Sequence, residues 1–376
     1  MSTSADPRAN APLPGRLGDP TMGPGKDPRT NAALRAALME LEMGEPIPFQ
    51  EADIPTDPDA VEAAMAAAEE VSEGWYASMM LDLPGDDALR VTSTSHSVKA
   101  PDGHEVALEV YRPDDADGPL PCVLYFHGGA MTFMRTRNRV YDQWCTDLAA
   151  QGAVVVQVDF RNAWTPSGMN PFPAGLSDCA AALAWAHEHR ATLGIGSIVV
   201  QGESGGGNLA LATALKAKRD NLLHTLDGVY ATMPYISGVY TWDEERKLRE
   251  LPSLVENDGY LMATAEMDMY VKVYDPDRRH AEDPLAWPYH ATEEDVTGLP
   301  PHVVTVNELD PLRDEGIAYQ RLLAAADVPV SGRVNLGLLH GSELEFRQIL
   351  APFYRATVRD IVSFAADLVP DKPQSV

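Results

Sequence analysis

A short stretch near the middle of the chain, from Ile198 to Ala210, constrains the fold more than any other. An apolar, β-branched run leads into a glycine-dense turn and then into apolar residues at helical spacing, with Gly-x-Ser-x-Gly at positions 202–206. A serine on such a turn is held in a strained conformation that exposes its hydroxyl above a sheet edge, and glycines let strand and helix approach closely. The stretch therefore predicts that Ser204 is a nucleophile on a strand-to-helix turn.

Continuous apolar runs alternate with helical patterns on both sides of this turn. The runs are Cys122–Phe126, Ala153–Val158, Gly228–Thr232, His302–Asn307 and Val328–Leu336. Fully apolar strands that alternate with helices are typical of a parallel sheet covered on both faces. Earlier in the chain, Arg90–Val98 and His104–Tyr111 flank a Pro-Asp-Gly turn and predict an antiparallel pair. We therefore expect an α/β protein with a mostly parallel central sheet.

Two regions lack this alternation and divide the chain. Residues 1–28, rich in Pro, Gly and Asp, are expected to be disordered or loosely attached, and residues 29–85 predict an N-terminal helical segment. Residues 234–295, in which prolines interrupt short helical pieces, predict an insertion over the sheet. The sheet-forming core is then expected in two parts, 86–233 and 296–376.

Charge and cysteine usage limit the partners and the location. Lys+Arg 29 against Asp+Glu 56 gives a net charge of −27, so phosphate repels the chain and neither nucleic acid nor an anionic membrane is expected as a partner. The widely spaced Cys122, Cys145 and Cys179 follow no metal-binding pattern and indicate buried reduced thiols. Because the sequence shows neither a signal pattern nor a bilayer-length apolar run, the cytoplasm is the expected location.

Two residues after successive later strands complete the chemistry that Ser204 needs. A serine hydroxyl is a weak nucleophile that requires a base, and the base requires an orienting acid. Asp310 follows the predicted strand His302–Asn307 and is the expected acid, with Glu308 as a weaker alternative. His340 follows the next predicted strand and is the expected base. The order serine, acid, histidine predicts a catalytic triad at one edge of the sheet.

A glycine-containing loop follows the third predicted strand as His-Gly-Gly-Ala at positions 127–130. When a nucleophile attacks a carbonyl, negative charge develops on the oxygen, and backbone N–H groups aimed at that position stabilise it. Gly128 and Gly129 in this loop, together with Gly205 after the nucleophile, are the expected donors of an oxyanion hole.

These motifs, taken together, resemble the hormone-sensitive-lipase-like branch, bacterial family IV, of the α/β-hydrolase superfamily. The resemblance rests on positions 127–130, 202–206, 310–315 and 340–341, in order along the chain, and covers about residues 85–370. Two positions depart from the branch pattern. Ala130 stands where the branch has a third glycine, and Glu203 stands where it has aspartate. We expect Glu203 either to accept hydrogen bonds beneath the turn or to fill space.

The resemblance implies a serine carboxylesterase that acts on short- to medium-chain carboxylic esters without cofactor or metal, and it leaves lactones open as substrates. It also implies a helical cap, built from the N-terminal helices and the 234–295 insertion, and a homodimer formed through edge elements near the last strand. Cap and loops would supply the substrate contacts. The candidates are Met131, Trp164, Tyr235 and Trp75.

Two other functions use the same fold. A non-catalytic receptor for a small ligand is one, although such a receptor has no need of His340. Amide or acyl-transfer chemistry on the same triad is the other, and the motifs do not separate it from ester hydrolysis. Dinucleotide binding is disfavoured because residues 202–207 lack the Gly-x-Gly-x-x-Gly spacing.

Overall fold

A central sheet of eight strands organises the computed structural model, which describes residues 13–82, 90–114, 116 and 118–370. The strands are β1 (Val91–Lys99), β2 (Glu105–Pro113), β3 (Leu120–Phe126), β4 (Val154–Asp159), β5 (Trp164–Thr165), β6 (Gly168–Met169), β7 (Ile195–Glu203), β8 (Gly228–Thr232), β9 (His302–Asn307) and β10 (Val330–Asn335). The sheet order is β1-β2-β4-β3-β7-β8-β9-β10, and β5 pairs with β6 in a separate ribbon. In the order β4-β3-β7-β8-β9-β10, each strand of this sheet is parallel to its neighbours, whereas β2 is antiparallel to both β1 and β4. The predicted mostly parallel sheet is confirmed.

Helices pack against both faces of this sheet. They are α1 (Gly15–Gly18), α2 (Ala32–Glu40), α3 (Pro58–Ser78), α4 (Arg139–Ala150), α5 (Ala174–Glu188), α6 (Gly205–Arg219), α7 (Glu244–Glu250), α8 (Ser253–Glu256), α9 (Thr264–Tyr274), α10 (Glu293–Val296), α11 (Arg313–Ala325), α12 (Ser342–Glu345) and α13 (Ala351–Asp367). Helices α4 and α13 pack together on one side of β3, and α5 and α6 pack together on the other. This layered arrangement is the α/β-hydrolase fold.

The most buried strands are the apolar ones at the centre of the sheet. Every residue of β8 and β9 is buried, as are all but one residue each of β3, β4 and β7. The edge strands β1 and β10 are mostly exposed and rich in polar residues. A continuous apolar run is therefore the signature of a strand covered on both faces, and the central strands were predicted for that reason.

The N-terminal segment is packed against the rest of the chain, which corrects one expectation. Residues 1–12 lie outside the described residues, but residues 13–28 are not loosely attached. The Arg16 guanidinium donates to the carbonyl oxygen of Asp258 (2.9 Å), and the Tyr260 hydroxyl donates to the carboxylate of Asp27 (3.0 Å). Asp27 is fully buried. Proline and glycine content favoured disorder, but these long-range contacts hold the segment in place.

A second apolar cluster joins the N-terminal helices to the carboxyl edge of the sheet. It contains Leu34 and Leu38 of α2, Leu309 after β9, and Leu338 and Leu339 after β10. Leu309 precedes Asp310 in the chain, and Leu339 precedes His340. The N-terminal segment thus packs directly behind the two loops that carry the predicted acid and base.

Two further observations concern membranes and thiols. Across the described ranges, the helices lack the combination of length and apolar character that crossing a bilayer requires. Cys122, Cys145 and Cys179 are all buried and unpaired. Burial raises the pKa of the Cys122 thiol to about 12, which keeps that thiol protonated.

Candidate active site

Ser204 lies on a sharp turn between β7 and α6 with φ 54° and ψ −118°, a conformation that side-chain-bearing residues rarely adopt. Hydrogen bonds to the neighbouring strand hold this strained backbone. The Ser204 amide donates to the carbonyl oxygen of Thr232 at the end of β8 (3.0 Å), and the Tyr235 amide donates to the carbonyl oxygen of Ser204 (3.1 Å). The side chain of Ser204 is partly exposed, and it faces a cavity.

Two glycines make this turn sterically feasible. A Cβ atom on Gly202 would lie 2.3 Å from the backbone of Gly206, and one on Gly206 would lie 2.0 Å from the carbonyl oxygen of Phe126. Both distances are far below van der Waals contact with backbone atoms that have little freedom to move. The glycines of the motif therefore allow the serine to stand at the sheet edge.

Asp310 and His340 form the predicted pair. His340 Nδ1 lies 2.8 Å from Asp310 Oδ2, and the amide of Leu312 donates to the other carboxylate oxygen (2.8 Å). Burial by itself lowers the pKa of His340, but the charge of fully buried Asp310 and the hydrogen bond to it outweigh burial and raise that pKa above 6.5. The pair leaves His340 Nε2 as the free nitrogen of the ring.

Glu308, the alternative acid, is engaged elsewhere. Its carboxylate accepts from the amide of Gly337 (2.8 Å). The backbone of the acid loop is held from the 234–295 region, because the Asn257 amide group donates to the carbonyl oxygens of Glu308 (3.2 Å) and Asp310 (3.1 Å). Asp310 is thus the carboxylate that the structure brings to His340.

The glycine loop after β3 corrects one predicted donor. The amide of Gly128 donates to Oε1 of Glu203 (2.8 Å), so this N–H points beneath the turn and not toward a substrate oxygen. Gly129 and Ala130 follow with φ +96° and +53°, both in the left-handed region. A Cβ atom on Gly205 would lie 2.7 Å from the nitrogen of Ala130, so this loop passes close to the residue that follows the nucleophile.

Glu203 is the residue whose role sequence reasoning left open. Its Oε1 accepts from the Gly128 amide and from the Tyr125 hydroxyl (2.9 Å). Burial raises the pKa of Glu203 to about 8, although these two hydrogen bonds oppose the rise. Since Glu203 immediately precedes Ser204, one carboxyl group ties the glycine loop to the nucleophile turn.

A cavity of about 380 Å³ lies over this site. Ser204 and His340 both line it. The rest of its wall includes side chains from both regions predicted to form the cap, among them Trp75 and Tyr76 on α3 and Tyr270 on α9. The two segments without sheet pattern therefore enclose the reactive groups from above.

Of the four candidate substrate contacts, Trp75 and Tyr235 line this cavity and Met131 and Trp164 do not. Met131 is 1% exposed, and its carbonyl oxygen accepts from the amide of Ala163. Trp164 pairs with Met169 in the short ribbon and lines a separate depression beside α3. Both were candidates because cap and loops were expected to supply the substrate contacts, but neither residue lines the cavity.

Sequence reasoning also missed several cavity residues. Phe133 and Tyr270 stack at 5.1 Å between ring centroids, and Glu266 and Glu345 place carboxyl groups on the wall. Tyr270 and Glu266 lie one helical turn apart on α9. Helical spacing around Glu266 would have shown which residues share a face, but not that this face covers the serine.

Comparisons with known proteins agree with this geometry. A family model described as the alpha/beta hydrolase fold matches residues 123–344. The solved structure of brefeldin A esterase, described as a bacterial homologue of human hormone-sensitive lipase, is similar with a TM-score of 0.92 and 52% identity over 96% of this chain and 99% of that one. The esterase LipI of Mycobacterium tuberculosis is 36% identical over 61% of this chain and 67% of its own length. Carboxylesterase NlhH of the same organism is 32% identical over 69% of this chain and 77% of its own length.

The family model covers more than half of the chain, and the sheet and helices have the fold that it names. The chain therefore belongs to the α/β hydrolase family. Within that family it lies in the hormone-sensitive-lipase-like branch, beside brefeldin A esterase. Similarity to that esterase was also expected from three sequence stretches, Trp144–Ala150, Asp159–Trp164 and Leu254–Tyr260, and the resemblance is confirmed.

The contact between Glu203 and Gly128 yields a testable expectation. Replacing Glu203 with Leu removes the acceptor that holds the glycine loop and leaves a buried N–H unpaired. We expect kcat for p-nitrophenyl butyrate to fall about 10- to 100-fold, somewhat less than the loss of an oxyanion donor itself, with KM changed by less than about threefold. Glu203→Gln keeps an acceptor oxygen and is expected to retain more activity. Equal kcat in Glu203→Leu and wild type would contradict the assigned role.

Proposed function

We propose that this protein is a serine carboxylesterase acting on short- to medium-chain carboxylic esters, with Ser204 as nucleophile, His340 as general base and Asp310 as the orienting acid. The observation that carries the proposal is the hydrogen bond between His340 and Asp310 beside a strained serine in one shared cavity. A residue held in such a conformation costs about 1–3 kcal/mol, a cost that structures maintain at functional sites.

In the first step, Ser204 Oγ attacks the ester carbonyl carbon while His340 Nε2 takes the hydroxyl proton. Asp310 accepts the hydrogen bond of Nδ1–H, so it fixes the tautomer that leaves Nε2 free and stabilises the imidazolium that forms. The proton from Ser204 stays on the imidazole of His340 and is not passed on to Asp310. The new C–O bond produces a tetrahedral intermediate whose former carbonyl oxygen is negative.

The amides of Gly129, Ala130 and Gly205 are the proposed donors to that oxygen, in place of the set that included Gly128. Collapse of the intermediate breaks the ester C–O bond, and His340 gives its proton to the departing alcohol. A water molecule, deprotonated by His340, then attacks the acyl-enzyme. This attack forms a second tetrahedral intermediate. Its collapse breaks the bond between the acyl carbon and Ser204 Oγ, releases the carboxylic acid and lets His340 return the proton to Ser204.

The size and lining of the cavity support a small substrate. A volume of about 380 Å³ lies at the lower end of the usual range for small-molecule sites, about 300–1,000 Å³. Trp75 reaches the cavity from the cap, and Tyr235 presents its ring while its hydroxyl donates to the carbonyl oxygen of Met267 (2.6 Å). The apolar surface that such side chains add to the wall favours the packing of an acyl chain.

A binding role without turnover is the alternative on the same fold. It is disfavoured because a receptor requires neither the strained Ser204 nor the His340–Asp310 hydrogen bond, and this chain has both. Lactones, amides and acyl transfer would engage the same three residues. The proposal covers open-chain esters, and the assay below tests the other substrates in parallel.

The location and the assembly of the protein are also proposals. Three buried, unpaired cysteines support the cytoplasm as the location, because thiols stay reduced there.

Val334 and Leu336, at and just beyond the edge strand β10, are 43% and 70% exposed. Exposed apolar side chains at an otherwise polar sheet edge support a homodimer formed there, which sedimentation would show as twice the mass of one chain.

The direct test of the proposed activity is hydrolysis of p-nitrophenyl esters of increasing acyl length by wild type and by Ser204→Ala. We expect wild type to turn over with an optimum among the shorter chains, since the cavity is small. The variant should lose at least about 10³-fold in kcat, because without its nucleophile only oxyanion and binding contributions remain. Folded wild type that hydrolyses none of these esters would contradict the proposal and favour the receptor alternative.

The His340–Asp310 pair predicts the pH dependence. His340 must be neutral to act as base, and its pKa is raised above 6.5, so kcat/KM should fall as the pH drops through a midpoint above 6.5. Asp310→Asn removes the charge that opposes burial. In that variant the midpoint should move to lower pH, while kcat drops by about 10⁴-fold. A midpoint below 6.5 in wild type, or one unmoved in Asp310→Asn, would contradict the assignment.

A further inference from the structure

Apart from His340, the ionisable side chains that line the cavity above Ser204 are tyrosines and acids. Among the described residues that line it are three carboxyl groups, Glu203, Glu266 and Glu345, and neither lysine nor arginine. Glu203 is engaged beneath the glycine loop. Glu266 and Glu345 are left as the acidic groups that a substrate would meet.

Glu345 lies on the short helix that follows His340. It accepts a hydrogen bond from Trp75 of α3, and a Cβ atom built on Gly341 would lie 3.3 Å from its Oε1. The charged groups that face it are His340 and Glu343. Burial raises the pKa of Glu345 to about 7, and nearby His340 opposes that rise.

Glu266 reaches the cavity from the other cap region, on α9. The hydroxyl of Tyr270 donates to its Oε1 (2.8 Å), and the two side chains line the wall together. Burial raises the pKa of Glu266 as well, and the hydrogen bond from Tyr270 opposes that rise. Two separate segments of the chain thus present a carboxyl group to the same space.

Two buried acids that do not line this cavity are satisfied within the fold. Glu256 forms ion pairs with Arg29 and Arg313. Glu315 accepts hydrogen bonds on both oxygens, from the amide of Ile236 and from the hydroxyl of Ser237. Glu266 and Glu345 differ because they open onto the cavity that receives the substrate.

We infer that Glu266 and Glu345 select substrates by charge, so that the enzyme takes neutral esters and esters bearing an ammonium group, and rejects esters bearing a carboxylate. This inference rests on the proposed esterase function and specifies its substrate class. A carboxylate on the substrate would lose its hydration and meet two acids without a cation to pair with. An ammonium group would supply a permanent cation, which neither lysine nor arginine provides among the described residues of the wall.

The test compares charged p-nitrophenyl esters with neutral esters of the same shape. The 4-(trimethylammonio)butanoate ester is matched by the 5,5-dimethylhexanoate ester, and the glutarate monoester is matched by the 5-methylhexanoate ester. On the alcohol side, acetylcholine is matched by 3,3-dimethylbutyl acetate. All assays run at pH 8, above the pKa of Glu345. The kcat/KM of each charged ester is divided by that of its neutral match. Differences in substrate size and in the reactivity of the leaving group then cancel.

In wild type we expect the glutarate monoester to fall at least about tenfold below its match, equivalent to about 1.4 kcal/mol in the transition state. We expect at least one of the two cationic esters to exceed its match by about tenfold. We define the spread as the ratio for the better cationic ester divided by the ratio for the glutarate monoester. Glu345→Gln and Glu266→Gln should each reduce this spread at least about threefold. Glu245→Gln, which removes an exposed acid from α7 outside this cavity, should leave the spread unchanged.

The inference would be overturned if, in wild type, every charged ester had a kcat/KM within threefold of that of its neutral match. A spread that survives in both glutamine variants would overturn it too. Two variants from different helices keep the test decisive if one of them fails to fold. Failure of the esterase proposal looks different, because the neutral esters would then remain unhydrolysed as well.

Discussion

A serine held at φ 54° and ψ −118° places the reactive hydroxyl at the sheet edge, and several features of the structure serve to maintain that backbone. The strain costs about 1–3 kcal/mol, which the close packing of β7 against α6 and the hydrogen bonds to Thr232 and Tyr235 offset. Close packing in turn requires Gly202 and Gly206, where a methyl group would collide with backbone. The backbone conformation of Ser204 therefore depends both on these two glycines and on the position of β8.

The remaining functional groups are positioned by contacts that cross the whole chain. Leu34 of the N-terminal helix packs against residues that adjoin Asp310 and His340, and Asn257 holds the carbonyl groups of the acid loop. Glu256, next to Asn257, pairs with arginines from the N-terminal segment and from α11. The segments that cover the cavity therefore also hold the loops that carry Asp310 and His340 in place.

The fold and the meeting of Asp310 with His340 could be predicted from the sequence because both follow from order along the chain. Parallel strands end at one edge, so residues that follow successive strands, such as Asp310 and His340, converge there. The direction of a single N–H group does not follow from order, and the Gly128 amide turned out to bind Glu203. Trp164 failed as a substrate contact for the same reason, since its side-chain direction depends on a short ribbon that apolar periodicity does not reveal.

Labelling with the organophosphate paraoxon tests the central claim most directly, because it phosphorylates a serine only where a base and an oxyanion hole activate it. The protein is incubated with paraoxon, digested and analysed by mass spectrometry while residual esterase activity is followed. We expect one diethyl phosphate per chain, on the peptide that contains Ser204, with activity lost in proportion to labelling. Modification of a different residue, or full activity after Ser204 is labelled, would contradict the account.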